Sequence, residues 1–314
     1  MKIAILDKST LGADIDLSAI SALGEIVEYP STAPEEMTTH IGDADVIVVN
    51  KIKCNESTLE KAENLKLICV AATGYDNIDP EYCKSRGIGL CNVPGYSTDS
   101  VAQVTVAMAM SLATHLNEYR NNVTSGKYTE SGVANCLVPV FHEISSLVWG
   151  VVGGGGIGTK VAEIAKTIGC KVMVCRRKQQ GDFPLADIDT ICRECDIISL
   201  HVPLSDSTRN MISRSRIESM KQGAIVINTA RGAVADEQAL ADAAKSGKIL
   251  LGCDVYSTEP FGKDHPFYEI KDLDNVLLTP HMAWGAYESR MRCIKIISEN
   301  IRCFFDGNAQ NRIV

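Results

Sequence analysis

The sequence predicts an α/β fold with two doubly wound parallel sheets, Rossmann-like or flavodoxin-like, around an interdomain cleft. Three observations support this prediction. At 314 residues the chain is too long for one ordinary core. Short apolar runs recur along it without polar alternation, as in strands that are buried on both faces of a parallel sheet. Amphipathic stretches separate these runs and give the strand–helix–strand order of doubly wound domains.

The apolar runs form two series, and each series predicts one sheet. The first comprises residues 2–6, 46–49, 66–71 and 88–92; the second comprises residues 148–152, 171–175, 196–200, 224–228, 250–253 and 276–278. A helix is predicted from Asp99 to about Gly126 and another from about Ala286 to Phe305, where the chain returns to its first part. We therefore expect a discontinuous first domain of residues 1–98 plus 286–314, and a second doubly wound domain of residues 99–285.

Charge and composition exclude several classes of function. The net charge of −8 argues against a nucleic-acid surface, which needs clustered Lys and Arg. The longest apolar-rich stretch, from Val101 to Ala113, is too short to span a bilayer, so we expect no membrane partner. Of the 12 cysteines only Cys192 and Cys195 form a CxxC pair, with no further pair to complete a zinc site. We expect no metal, and buried, reduced thiols in a cytoplasmic protein.

A glycine-rich segment follows the strand at 148–152 and opens an amphipathic helix. Its glycines fit the pattern GxGxxG: the first Gly allows a tight turn, the second lets backbone approach a pyrophosphate, and the third lets helix and strand pack closely. The helix N-terminus would face the phosphates. The segment predicts a dinucleotide site, with Gly153, Gly155, Gly156, Ile157 and Gly158 as its candidate residues.

The end of the next strand indicates which dinucleotide binds. Arg176 and Arg177 stand where an NAD site normally carries an Asp or Glu for the ribose hydroxyls. Guanidinium groups suit a 2′-phosphate, so NADP(H) is favoured as the cofactor. NAD(H) is the alternative, if this strand end is only a solvated basic surface.

Three later segments follow predicted strands, at the sheet edge where ligands collect in open α/β sheets. They are Asn228-Thr229-Ala230-Arg231-Gly232, the stretch from Gly252 to Pro260, and the stretch from Leu278 to Trp284. Together with the glycine motif and the segments at 72–79 and 92–103, they resemble the D-2-hydroxyacid dehydrogenase family over nearly the whole chain. The sequence is most similar to the hydroxypyruvate reductase/glycerate dehydrogenase-like branch of that family.

The resemblance implies a catalytic set of Arg231, Glu259 and His281, and the chemistry supports it independently. Reduction of a 2-keto acid needs a cation for the carboxylate and carbonyl, which a guanidinium provides. It also needs a proton donor, His281, which would act as the base in the reverse reaction. Glu259 would pair with His281 and favour its imidazolium form.

Further contacts are implied by the resemblance alone. The cofactor side would include His201, Val202, Pro203, Thr208, Thr229, Ala230 and Asp254, and the substrate side Lys51, Thr73, Gly74 and Trp284. Asp254 would accept a hydrogen bond from the nicotinamide carboxamide, or else only stabilise a local turn. The backbone N–H groups of Thr73 and Gly74 would bind the substrate carboxylate, or else form a plain strand-to-turn junction. Lys51 and Trp284 could equally serve packing.

The resemblance makes residues 99–285 the NAD(P)-binding Rossmann domain and residues 1–98 plus 286–314 the substrate-binding (catalytic) domain. It implies hydride transfer between NAD(P)H and a small 2-keto acid or (R)-2-hydroxy acid, such as hydroxypyruvate/glycerate or glyoxylate/glycolate. A phosphoglycerate-type dehydrogenase and a nicotinamide-sensing corepressor or scaffold on the same fold remain alternatives. The sequence departs from the family pattern at 128–148, a region that the family often uses at a dimer contact. We expect a homodimer. Because the sequence departs from the family pattern here, it predicts neither the residues of the dimer contact nor the size of the substrate.

Overall fold

The structure is a computed structural model that describes residues 1–176 and 182–314. The chain divides into two compact units: unit 1 is Met1–Ser97 with Gly285–Val314, and unit 2 is Thr98–Trp284. Each unit has one parallel sheet with its own connecting helices, which confirms the two predicted doubly wound parallel sheets. Among the described residues, no helix is both long and apolar enough to cross a membrane.

Eleven β-strands are formed by the described residues. Those of unit 1 are β1 (Lys2–Ile5), β2 (Glu25–Glu28), β3 (Val46–Val49), β4 (Leu67–Val70) and β5 (Gly89–Cys91). Those of unit 2 are β6 (Val148–Val152), β7 (Lys171–Cys175), β8 (Ile197–Leu200), β9 (Ala224–Asn228), β10 (Ile249–Cys253) and β11 (Val276–Leu278). Apart from β2, each of them overlaps an apolar run that predicts a strand.

The same residues form twelve α-helices, of which four precede the first long helix. They are α1 (Ser18–Ser21), α2 (Met37–Ile41), α3 (Glu56–Leu59), α4 (Pro80–Ser85), α5 (Thr98–Ala113), α6 (Leu116–Thr124), α7 (Lys127–Ser131), α8 (Gly156–Thr167), α9 (Ile188–Glu194), α10 (Arg214–Ser219), α11 (Glu237–Lys245) and α12 (Tyr287–Phe305). The single helix expected over 99–126 is wrong. It is interrupted after α5 at His115, whose φ of 51° is left-handed and incompatible with a continuing helix.

The sheet of unit 1 has the parallel order β2-β1-β3-β4-β5. Strands β3 and β4 are buried throughout, as their unbroken apolar runs predict. Helix α12 belongs to this unit: Asn300 donates to the carbonyl of Asn92 at 2.9 Å, and Arg290 pairs with Asp14. The final helix therefore packs on the first part of the chain.

The sheet of unit 2 has the parallel order β11-β10-β9-β8-β6-β7. Strand β6 pairs with both β7 and β8, so the direction of the crossovers reverses there. Two apolar clusters form the core of the unit; one includes Ile198 and Val226, and the other includes Trp149 and Ile227. Alternate residues of the same strands thus enter different clusters, because the sheet is covered on both faces. Ligands of such sheets bind beyond the carboxyl ends of the strands at the reversal.

Candidate active site

The glycine loop connects β6 to α8. Gly153 has a φ of 111°, which an L side chain rarely adopts, and its N–H donates to the carbonyl of Cys175 at 2.9 Å. A Cβ at Gly158 would lie 1.9 Å from the carbonyl oxygen of Gly153, so only glycine allows the helix to pack this closely on the loop. Ile157 follows Gly156, the first residue of the helix. The backbone thus has the form that a diphosphate requires.

A cavity of about 470 Å³ lies in front of this helix N-terminus. It is lined by Thr98, Asp99, Gly154, Gly155, Gly156, Thr159, Lys160 and Glu163. The Nζ of Lys160 lies 3.4 Å from Oδ1 of Asp99 and brings a positive charge to the cavity wall. Lys160 was not among the predicted residues, although its position one helical turn after Gly156 was a usable signal.

Two side chains beside the loop have buried polar atoms without a partner in the described part of the chain: Nε and Nη2 of Arg176 and both ring nitrogens of His201. The Arg176 stem covers Gly154, because its Cδ would lie 2.5 Å from a Cβ there. Burial lowers the pKa of His201 to about 3, so its ring is neutral at physiological pH. Buried polar groups need partners, and a phosphorylated dinucleotide would supply them at this loop. Arg177 lies outside the described residues.

The segment after β8 forms a closed loop. The Thr208 hydroxyl is buried, donates to the carbonyl of Pro203 at 2.6 Å and accepts the N–H of Ser205 at 2.8 Å. Val202 is half-buried, whereas Pro203 is exposed. The Thr208 side chain therefore holds the loop that carries the predicted adenosine-side residues, and this internal role was not predicted from the sequence.

The loop after β9 carries Arg231. The Asn228 side chain holds it from both ends, because Oδ1 accepts the N–H of Ala230 at 3.0 Å and Nδ2 donates to the carbonyl of Arg231 at 2.9 Å. The Thr229 hydroxyl lies 2.9 Å from that of Thr105. A Cβ at Gly232 would lie 2.1 Å from the carbonyl carbon of Tyr256. The glycine therefore lets the Arg231 loop contact the next strand's loop backbone to backbone.

Glu259 and His281 meet at the ends of neighbouring strands. Oε2 of Glu259 lies 2.5 Å from Nδ1 of His281, and both side chains are about a quarter exposed. The N–H of Tyr256 donates to the other carboxylate oxygen, Oε1, at 2.9 Å. The carboxylate is thus held in place on one side and directed at the imidazole on the other. The structure brings together this predicted pair, next to the loop of Arg231.

Asp254 organises the turn that presents His281. Its buried carboxylate accepts the Thr279 hydroxyl at 2.6 Å and the N–H groups of Met282 and Ala283 at 2.9 Å each. Three of about four acceptor positions are therefore used within the protein. This geometry matches the turn-stabilising alternative for Asp254, and it leaves room for one further donor.

Tyr256 adds a second link to the same turn. Its hydroxyl donates to the carbonyl of Thr279 at 2.8 Å, while its backbone N–H binds Glu259. One residue therefore connects the Glu259 loop to the His281 turn. Nothing in the sequence pattern singled it out, since a tyrosine after a buried strand is common in any core.

The predicted residues of unit 1 lie on two loops. Lys51 follows β3, where Asp7 accepts its backbone N–H at 2.7 Å, and burial raises the pKa of that aspartate. The Thr73 hydroxyl donates to the carbonyl of Val93 at 2.9 Å. The backbone N–H groups of Thr73 and Gly74 donate to no acceptor within 1–176 and 182–314, so they suit an anion. Trp284, half-buried, ends unit 2.

The described residues contain no group of three His, Cys, Asp or Glu side chains that could hold a metal ion. Cys192 and Cys195 are buried and unpaired with each other. Burial raises the pKa of their thiols to about 11 and about 12 respectively. Both thiols therefore stay protonated at neutral pH and serve the core.

A glycine loop of this form, at the reversal of a parallel sheet, is typical of nicotinamide-dependent oxidoreductases. Residues 106–283 match the family described as D-isomer specific 2-hydroxyacid dehydrogenase, NAD binding domain. The chain is 34% identical over 323 residues to a hydroxypyruvate reductase of Blautia hydrogenotrophica, with 99% of each protein covered. The chain therefore belongs to the D-isomer-specific 2-hydroxyacid dehydrogenase family, as its motifs imply.

Two solved structures extend the comparison to bound cofactors. An acyclic imino acid reductase (Bsp5), solved with NADPH and D-Arg, is similar with a TM-score of 0.86, 29% identity and 100% of both chains covered. The D-lactate dehydrogenase of Aquifex aeolicus, solved with NAD and lactic acid, has a TM-score of 0.85 and 30% identity, covering 98% of this chain and 96% of that one. Similar proteins thus bind either nicotinamide cofactor.

Proposed function

We propose that this chain reduces a small 2-keto acid, hydroxypyruvate or glyoxylate, to the (R)-2-hydroxy acid with NADPH as the preferred donor, and catalyses the reverse reaction. The observation that supports this most is the 2.5 Å contact between Glu259 and His281, beside the loop of Arg231. We further assign the cofactor to unit 2 and the substrate-binding role to unit 1. The similarity to a hydroxypyruvate reductase supports the substrate class.

The cofactor side follows from the groups around the glycine loop. The N-terminus of α8 and the Lys160 ammonium would hold the diphosphate. The Arg176 guanidinium, with two buried nitrogens that have no partner within 1–176 and 182–314, would hold a 2′-phosphate. When bound, the nicotinamide supplies or accepts the hydride. The choice of NADPH rests on Arg176 and on the lack of a carboxylate at the end of β7; NADH stays the alternative.

The protein's own groups would act on the substrate oxygens. Arg231 binds and polarises them with a permanently charged guanidinium. His281 gives a proton to the alkoxide oxygen during reduction and takes it back during oxidation. Because Glu259 occupies Nδ1, this proton leaves from Nε2, while the carboxylate stabilises the charged ring. Thr73 and Gly74 remain the predicted contacts of the substrate carboxylate, and Lys51 and Trp284 remain predicted neighbours of the substrate.

We also propose a homodimer in the cytoplasm. The segment from Leu116 to Phe141 exposes an unusual share of apolar side chains, among them Leu137, Val138 and Val140, each more than 70% exposed. Apolar patches of this kind mark interaction sites, and a second copy would cover them. The free cysteines suit a reducing compartment.

The test is a steady-state assay of hydroxypyruvate, glyoxylate and a branched-chain 2-keto acid, each with NADPH and NADH. We expect turnover of the first two, and a loss of about 100- to 10,000-fold in the variant His281→Ala, because the proton donor is removed. Cofactor affinity, measured by fluorescence titration, should be retained. The exposed His142→Ala serves as the control. No turnover by the native protein would contradict the proposal and favour the scaffold alternative. Near-normal turnover by His281→Ala would contradict the proposed proton transfer by His281.

A further inference from the structure

A second carboxylate–imidazole pair lies next to the loop that carries Glu259. Glu237 is the first residue of α11, and its Oε2 lies 3.2 Å from Nε2 of His265. Both side chains are nearly inaccessible, at 11% and 7% exposed. The N–H of Phe267 donates to Nδ1 of His265 at 3.2 Å. Since Nδ1 accepts, the ring proton is on Nε2, and His265 donates it to Glu237.

Aromatic rings fix the orientation of this imidazole. The His265 ring stacks on Phe261 at 5.0 Å between centroids, and it meets Phe267 and Tyr256 edge-on at 5.1 and 6.0 Å. This packing restricts rotation of the ring, and the N–H of Phe267 at Nδ1 favours the orientation with Nε2 toward Glu237. The Glu237 carboxylate therefore accepts a hydrogen bond from an imidazole whose rotation is restricted.

The Glu237 carboxylate also accepts two hydrogen bonds from Ser257. Oε1 accepts the backbone N–H of Ser257 at 2.9 Å, and Oε2 accepts its hydroxyl. Ser257 stands two residues before Glu259, in the loop after β10. On its other side the same backbone lies against Gly232, in the loop of Arg231. Glu237 thus holds the segment from which the Glu259 carboxylate projects.

We propose that Glu237, locked by His265, is a positioning residue that sets the orientation of Glu259 toward His281. The inference rests on the proposed function, in which that pair moves the proton. Its physical basis is that catalytic groups work only within a few tenths of an ångström of their productive geometry, and misplacement by about 1 Å can cost about 100-fold in rate. Two hydrogen bonds to a buried carboxylate are strong enough to enforce such geometry.

The variant Glu237→Gln tests this proposal. Its amide NH₂ would face either the backbone N–H of Ser257, at the Oε1 position, or the His265 N–H, at the Oε2 position. Both of these groups only donate, so the loop should shift with little change in side-chain volume. We expect kcat for 2-keto acid reduction to fall about tenfold, with KM and cofactor affinity nearly unchanged. The pH profile of kcat should also depart from the native one, because the contact between Glu259 and His281 would be disturbed.

Two further variants make the result decisive. Asp242→Asn removes a carboxylate from the exposed side of the same helix, where it pairs with Arg214, and should keep the native kcat and pH profile. Ser257→Ala deletes the hydrogen bond from the Ser257 hydroxyl to Glu237 and keeps the one from its backbone N–H. It should change kcat and the pH profile in the same direction as Glu237→Gln, but by a smaller amount. It also keeps the proposal testable if Glu237→Gln fails to fold.

The proposal is overturned if Glu237→Gln, or Ser257→Ala in its place, lowers thermal stability while kcat and the pH profile per folded molecule stay native. That outcome would leave Glu237 a purely structural residue. If His281→Ala itself retains turnover, the proposed function fails instead, so the two failures are distinguishable.

Discussion

At the scale of single residues, the guanidinium of Arg176 combines two features that bear on the cofactor. Two of its nitrogens are inaccessible and have no partner in the described part of the chain, and its stem covers Gly154 of the glycine loop. Buried guanidinium nitrogens that lack an acceptor are costly, and a bound 2′-phosphate would supply the acceptors. This geometry could not be predicted from the Cys175–Lys178 sequence, which indicates only that charge is available.

The variant Arg176→Asp should reverse the cofactor preference. Charge-assisted hydrogen bonds contribute about 1.5–3 kcal/mol, so we expect kcat/KM with NADPH to fall about 100-fold while that with NADH is kept or improved. The ratio of the two values is the measurement. Arg193→Asp makes the same charge change on an exposed face of α9 and should leave the ratio native. A native ratio in Arg176→Asp would remove the 2′-phosphate assignment.

His201 predicts how stability depends on pH. Its pKa is about 3 in the folded chain because of burial, against about 6.5 when unfolded. Below pH 6.5 the unfolded chain therefore binds a proton that the folded chain does not, and stability is lost as the pH falls toward 3. Above pH 6.5 both states are neutral and the effect vanishes.

The variant His201→Phe should remove this dependence. Between pH 7.5 and pH 5 the native chain should lose about 2 kcal/mol that the variant keeps, since each pH unit below 6.5 is worth about 1.4 kcal/mol. Urea unfolding midpoints at the two pH values measure the difference. His142→Phe, at an exposed position, is the matched control. Equal pH responses of His201→Phe and the native chain would refute the assignment.

At the scale of elements, strands β9, β10 and β11 each end in a loop that carries part of the site. Parallel pairing aligns these ends, since Asn228 pairs with Cys253 and Cys253 with Leu278. Residues that are 50 positions apart in the sequence are thereby brought to one edge of the sheet. Asp254 then ties the end of β10 to the turn after β11.

Replacement of Asp254 by Asn tests this tie. An amide cannot accept hydrogen bonds at both ends, so one of the N–H groups of Met282 and Ala283 would face a donor and the turn should relax. We expect kcat to fall about 100-fold through misplacement of His281, with NADPH affinity little changed. Thr279→Ser keeps the hydroxyl donor and should stay near native. A large loss of NADPH affinity with native kcat would instead favour a direct contact of Asp254 with the nicotinamide.

At the scale of the whole molecule, the exposed apolar side chains of the 116–141 segment predict self-association. We expect the native protein to sediment as a dimer, and the double variant Leu137→Glu, Val140→Glu as a monomer, because charge on both sides of the contact opposes burial. Analytical ultracentrifugation measures this. Leu185→Glu, on an exposed apolar residue outside the segment, should remain dimeric. A native monomer, or a dimeric double variant, would exclude this contact.

The structural features that were predicted correctly share one property: each produces a recognisable pattern within a short segment of sequence. Buried parallel strands such as β3 and β9 are unbroken apolar runs, and the glycine motif is defined by backbone geometry within six residues. Strand β2 was missed because it lies at a sheet edge, where half-buried Ile26 and Val27 between two glutamates give no apolar run. The break at His115 was missed because a left-handed residue leaves no mark in the hydrophobic period.

The sequence alone determined the fold class, the family motifs and the order in which Arg231, Glu259 and His281 occur, because strand burial and motif spacing are local properties. Only the tertiary structure decided that Glu259 contacts Nδ1 of His281 and that Asp254 holds the turn containing His281. It also decided that Glu237 and His265 contact the segment before Glu259 and each other. These contacts join loops from different strands. They depend on the register of the parallel sheet and on backbone approach at Gly232, which no short segment of sequence encodes.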